Sequence, residues 1–123
     1  MNLVLKIEES KSVLLNYGFD HFESIFSTYK TAAQSNFEIR AVMKFVRACY
    51  EARVLIEFDW INWKEGFEAL DSQNFENKGL QFLCMILTVI IRKDRIVENY
   101  LLHEMKRGTI EKLLNQIKVH YGK

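Results

Sequence analysis

"LQFLCMILTVII", residues 80–91, is the stretch on which the fold turns: among its twelve residues only Gln81 and Thr88 are polar, and they lie seven apart on one side of a helix. A segment this apolar must be surrounded by other parts of the chain. It is longer than the usual strand, and no second stretch of matching character exists to pair with it. The run therefore predicts the central helix of an all-α bundle of five to seven helices.

The rest of the composition agrees. The 123 residues are 49% apolar and 27% charged, enough for a real core in one domain spanning 1–123. There is no proline and there are only five glycines, so few residues interrupt a helix. The formal charge of +1 gives no overall field for nucleic acid or an anionic membrane. It is unevenly spread, with eight Lys/Arg against four Asp/Glu from Arg92 onward. "MNLVLKIEESKS" carries acids where a secretory leader needs a longer apolar run, and no window is apolar enough to span a membrane, so a cytoplasmic protein is expected. Cys49 and Cys84 sit in apolar segments without a CxxC or a nearby His, which reads as two buried free thiols.

Working outward, Asn2 to Asn16 has helical apolar spacing and Gly18 stops it. Asp20 with Glu23 forms a capping box, ahead of Phe22, Ile25, Phe26, Tyr29 and Ala33 on one face. Together these segments make an N-terminal hairpin over 1–35. Glu38 to Ala52 is amphipathic, with Arg40, Lys44, Arg47 and Glu51 along one stripe. Ile39, Val42, Met43, Val46, Cys49 and Tyr50 line the other, expected to face inward. Asp59 is placed to cap a helix whose Trp60, Trp63, Phe67 and Leu70 also face inward. Beyond the central run, Asn99 caps a helix over Tyr100 to Arg107, Gly108 stops it, and Thr109 caps a last helix bearing Ile110, Leu113, Leu114, Ile117 and Tyr121.

Three stretches, "FDWINW" at 58–63, "LTVIIRKDRIVEN" at 87–99 and "LLHEMKRGTIEKLL" at 101–114, have an order and spacing that resembles a bacterial family of small proteins, the domain of unknown function 6508. The likeness runs from about Phe37 to Ile117. Ile96 stands where that family usually has phenylalanine, Asn99 where it has glycine, and Arg53 where a glycine is common. Asn tolerates positive φ almost as glycine does; Arg53 suggests a helix end of different geometry. The resemblance implies an all-α cytoplasmic domain and brings no activity or catalytic residue.

The candidate site is the charged stretch "IIRKDRI" at 90–96. Asp94 is positioned to cap the turn that follows or to accept a bidentate hydrogen bond from an arginine, and Arg92 and Arg95 would hold a carboxylate or phosphate, with Trp60 or Trp63 as an aromatic wall. Alternatively Arg92, Asp94, Arg95, Glu98 and Asp59 form a structural ion-pair network, the favoured reading because an unpaired buried charge costs several kcal/mol. His21, His103 and His120 share no metal-ligand spacing, and no nucleophile, phosphate-loop or zinc motif occurs, so neither cofactor nor catalytic residue is assigned. Glu98, His103 and Arg107 are a weaker acid–base trio. The aromatic N-terminal hairpin, with Tyr17, Phe19, Phe22, Phe26 and Tyr29, either covers the central helix or presents a surface for a second copy or a partner helix. The reading is a non-enzymatic protein-interaction module, with an anion- or small-molecule-binding domain at Arg92/Asp94/Arg95 as the alternative.

Overall fold

The computed structural model describes residues 19–121, with side chains from 22 to 120. The helix expected over 2–16, the Gly18 stop, the Tyr17 and Phe19 rings, the Asp20 cap, His21 and the Tyr121 ring lie outside those described residues. Among the described residues there are six α-helices, one 3-10 turn and no strand. In chain order they are α1 (Phe19–Gln34), α2 (Ile39–Glu51), the turn Trp60–Asn62, α3 (Lys64–Ser72), α4 (Leu80–Lys93), α5 (Tyr100–Lys106) and α6 (Thr109–Tyr121).

The apolar run becomes α4, and every residue from Leu83 to Ile91 is buried. The Trp60–Asn62 turn, α3, α5 and α6 pack against it, while α1 lies along α2. Each fully buried Leu, Ile or Val of α4 is stabilised by about 1.5–3 kcal/mol relative to exposure, so the nine residues form the largest block of the core. Cys49 and Cys84 are free and buried within that core. Burial pushes the Cys84 thiol up to about 12 and, helped by the neighbouring Cys84, holds Cys49 higher still.

Thr88, the polar residue in the middle of α4, is fully buried and fully used. Its hydroxyl donates to the Cys84 carbonyl (2.7 Å) and accepts the Ile56 N–H (2.9 Å). The second bond ties the irregular segment after α2 to the central helix and satisfies a buried amide that has no ladder of its own.

The helix ends show how a glycine-poor chain stops its helices. Glu38 caps α2, its carboxylate accepting the Ala41 N–H at 3.3 Å. At the other end the Arg53 N–H reaches the Tyr50 carbonyl and the Val54 N–H reaches Cys49, with Arg53 at φ +57°. That is a Schellman closure, whose left-handed residue is usually glycine. The expectation that Arg53 would impose a different geometry is corrected: arginine adopts the glycine conformation. The same pair of bonds closes α1 at Asn36 and α3 at Gln73, both at positive φ. Gly108, at φ +87°, separates α5 from α6 as expected.

Three local readings change. Asp59 caps no helix; it accepts the Asn62 side-chain amide (2.8 Å), and α3 begins only at Lys64. Asn99 makes no side-chain cap but takes φ +61°, and Asp94 supplies the cap of α5 by accepting the Leu101 N–H (2.9 Å). On α1 it is Ala32 rather than Ala33 that joins Phe22, Ile25, Phe26 and Tyr29 in the core. The Tyr29 ring meets Phe45 edge-on at 5.9 Å.

Candidate functional site

The residues expected to form one charged site are distributed over several partners. Among the described residues no ion pair joins Arg92, Asp94, Arg95, Glu98 and Asp59 to one another. Asp94 is held by the Leu101 N–H, Asp59 by Asn62, and Glu98 is exposed in the loop after α4. The two arginines converge on Tyr50 of α2 instead. Arg95 donates to its hydroxyl at 2.7 Å, and the guanidinium carbons of Arg92 and Arg95 lie 5.8 and 6.0 Å from its ring centre. Trp63 packs edge-on against Phe58 and Phe82, at 5.4 and 5.0 Å, and covers Gly66, so the aromatic contact of the arginines is Tyr50.

Tyr50 belongs to a surface that the sequence placed inside. On α2 the buried residues are Ala41, Phe45, Ala48 and Cys49. Small side chains there let α1 approach closely, and the helix is rotated accordingly. Of the apolar stripe read as core, Cys49 is buried and Val42 and Val46 pack against the core, but three members turn outward: Ile39 is 70% exposed, Met43 64% and Tyr50 37%. Val42 and Val46, half-buried, form the floor of a groove of about 790 Å³ that runs to Leu101 and Leu102 of α5. Phe37 also lines it, and Arg40, Lys44 and Arg47 line it with cations. Its one carboxylate, Asp94, is already bonded to the Leu101 N–H.

A second, more polar cleft of about 830 Å³ lies between α3 and α5. Here Glu104, buried on α5, accepts hydrogen bonds from the Thr109 hydroxyl (2.6 Å) and Arg107 Nε (2.7 Å). Arg107 also donates to the Leu70 carbonyl (2.9 Å), and Gln73 donates to Thr109 (2.7 Å). Thr109, expected as a cap, therefore spends its hydroxyl on this clasp. Burial raises the Glu104 carboxyl, but the hydrogen bonds from Thr109, Arg107 and Tyr100 and the Arg107 charge outweigh it, leaving the group below the ordinary carboxylate range. Tyr100 is raised by burial and by Glu104. Lys93 extends over the Tyr100 and Phe67 rings, at 4.5 and 5.3 Å. The structure thus brings His103 and Arg107 of the acid–base trio to this cleft, with Glu104 in place of Glu98.

The strongest polar groups of that cleft are consumed in holding α3, α5 and α6 together, whereas the α2 groove leaves Ile39 and Met43 largely exposed. Sequence reasoning missed both arrangements. The signals were present in the Glu104–Arg107 spacing of three and in an α2 apolar on two faces.

The fold and groove define a class: an all-helical protein with an apolar groove bordered by cations. The chain belongs to a family of unknown function, DUF6508, matched over residues 31–123 and so wider at both ends than the three motif stretches. Comparison with curated proteins and with solved structures found no match. Among the described residues no helix is long and apolar enough to cross a membrane, and no group of three or more His, Cys, Asp or Glu is placed to hold a metal ion.

Proposed function

We propose that this protein is an interaction module that receives an acidic amphipathic helix of another protein in the α2 groove, in the cytoplasm. The observation that carries the reading is the exposure of Ile39 and Met43 at 70% and 64%, one turn apart on a stripe that continues to Tyr50. Contiguous apolar surface of this kind, edged with polar groups, is what helix-in-groove recognition uses. The charges select the occupant. Arg40, Lys44 and Arg47 border the groove, so a helix with Leu at spacings of three and four and Glu on its flanks gains both apolar burial and charge complementarity. Self-association through this face is disfavoured by the same charges, because a two-fold contact would set one cationic border against its copy.

The test is fluorescence anisotropy with a designed acidic amphipathic peptide of about four turns and its lysine-substituted counterpart. The acidic peptide should bind, the basic one should not, and Met43→Glu should weaken binding at least about tenfold. Equal binding by Met43→Glu would overturn the reading. So would a loss of more than about 0.5 kcal/mol in the stability of the isolated Met43→Glu chain, since an exposed exchange costs less than that and a larger loss means the groove is already covered by the chain itself.

A further inference from the structure

We propose that Tyr50, Arg92 and Arg95 form an oxyanion-binding site at the Tyr50 end of the groove, and that it takes an Asp or Glu side chain of the occupant. This rests on the groove reading for the source of the anion, though not for the site itself.

Two arginines near Tyr50 hold donors that have no acceptor among the described residues. Arg92 is half-buried at the end of α4 and Arg95 follows one turn later in the exposed loop. Neither forms an ion pair with any described residue. The acids nearest in sequence are accounted for: Asp94 accepts the Leu101 N–H, and Glu51 and Glu98 are exposed without an ion pair to either arginine. Among the described residues the Arg92 guanidinium forms no hydrogen bond and lies by the Tyr50 ring, and Arg95 uses one N–H on the Tyr50 hydroxyl. Each guanidinium carries five N–H groups, so most of these donors stay available.

Tyr50 completes the set. Its oxygen accepts from Arg95 at 2.7 Å, which polarises the phenol, while its own proton has no acceptor among the described residues. The guanidinium carbons of Arg92 and Arg95 lie 5.8 and 6.0 Å from the ring centre, so cation–π contact keeps both cations beside Tyr50 before any ligand arrives. An oxyanion placed there receives hydrogen bonds from two arginines and a phenol, the arrangement that favours a bidentate carboxylate. Because Tyr50 also lines the groove, the anion and the apolar stripe are read by one ligand. The site supplies register: it fixes which end of the helix lies at Tyr50.

The experiment is a double-mutant cycle on the full chain. A neutral amphipathic peptide carries a single Glu, moved one position at a time, and its affinity is measured against the native chain and the Arg92→Gln/Arg95→Gln variant. The expected result is a coupling of about tenfold or more at one register and little elsewhere, with Tyr50→Phe losing part of it. Coupling below about threefold at every position overturns the proposal, because surface pairs routinely reach no more. Tighter binding of a phosphoserine peptide than of the Glu peptide by over about tenfold overturns the choice of carboxylate. If no peptide binds, the groove reading has failed, and inorganic phosphate decides the site separately. Saturating shifts of the Arg92 and Arg95 side-chain N–H signals, with weaker affinity in Tyr50→Phe, support it; a linear, unsaturated drift, or an affinity unchanged in Tyr50→Phe, overturns it.

Discussion

Replacing Thr88 by valine isolates one hydrogen bond in the core. The two side chains have nearly the same shape, so the exchange leaves packing around α4 in place and removes only the hydroxyl. The Cys84 carbonyl keeps its helical partner and loses little. The Ile56 N–H loses its partner in a region where Ile56 is 1% and Thr88 0% exposed, too buried for water to replace it. A buried amide without a partner costs about 1–3 kcal/mol. The added methyl returns up to about 0.8 kcal/mol, which leaves a net loss centred on about 1 kcal/mol, within bounds of about 0.2 and 2.2 kcal/mol. Chemical unfolding followed by tryptophan fluorescence should show that loss, equivalent to a fall of roughly 4–8 °C in Tm. Hydrogen exchange should show the Ile56 amide losing protection in Thr88→Val and keeping it in Thr88→Ser. Stability within about 0.5 kcal/mol of the native chain, with Ile56 still protected, would refute the claim that this hydroxyl pins the segment after α2.

Other perturbations probe the helix ends and the α5 clasp. Arg53→Gly should raise stability by about 0.5–1 kcal/mol in chemical unfolding, since glycine relieves a left-handed C′ residue, whereas Arg53→Ala should not. Gly66→Ala, normally favourable within a helix, should instead cost about 1–3 kcal/mol because the new Cβ runs into the Trp63 ring. Glu104 is depressed in the folded state, so its contribution is present above the unfolded carboxylate pKa of about 4.3 and is lost as pH falls through the folded value. Acid titration of stability should therefore show a steeper decline below about pH 4.3 in the native chain than in Glu104→Gln.

How much of this was legible depended on whether the deciding contact was local. The run at 80–91 announced α4 because length, apolarity and the want of a pairing partner all pointed one way. The segment from Glu38 to Ala52 announced α2 because its amphipathic period is local, although the cap that Glu38 supplies was not read from it. The rotation of α2 was not legible: Ile39, Met43 and Tyr50 repeat with the same period as Ala41, Phe45 and Ala48, and periodicity cannot say which stripe meets α1. The close approach permitted by the alanines decided it. The choice of Tyr50 by Arg92 and Arg95 was equally hidden, because it joins residues more than forty positions apart, brought together only by the packing of α2 against the end of α4. Asn99 lay between these cases; its tolerance of positive φ was readable, whereas its side chain caps nothing, and of the two roles open to Asp94 the cap of the next turn is the one it takes.

Selective methyl labelling of methionine, read with a soluble paramagnetic gadolinium chelate, tests the open groove most directly. Met43 is 64% exposed on α2, whereas Met85 and Met105 are 4% and 1% exposed. The account predicts that the Met43 methyl signal is strongly attenuated while those of Met85 and Met105 persist. A Met43 signal as protected as that of Met85 would show the groove to be covered in the free chain and would contradict it.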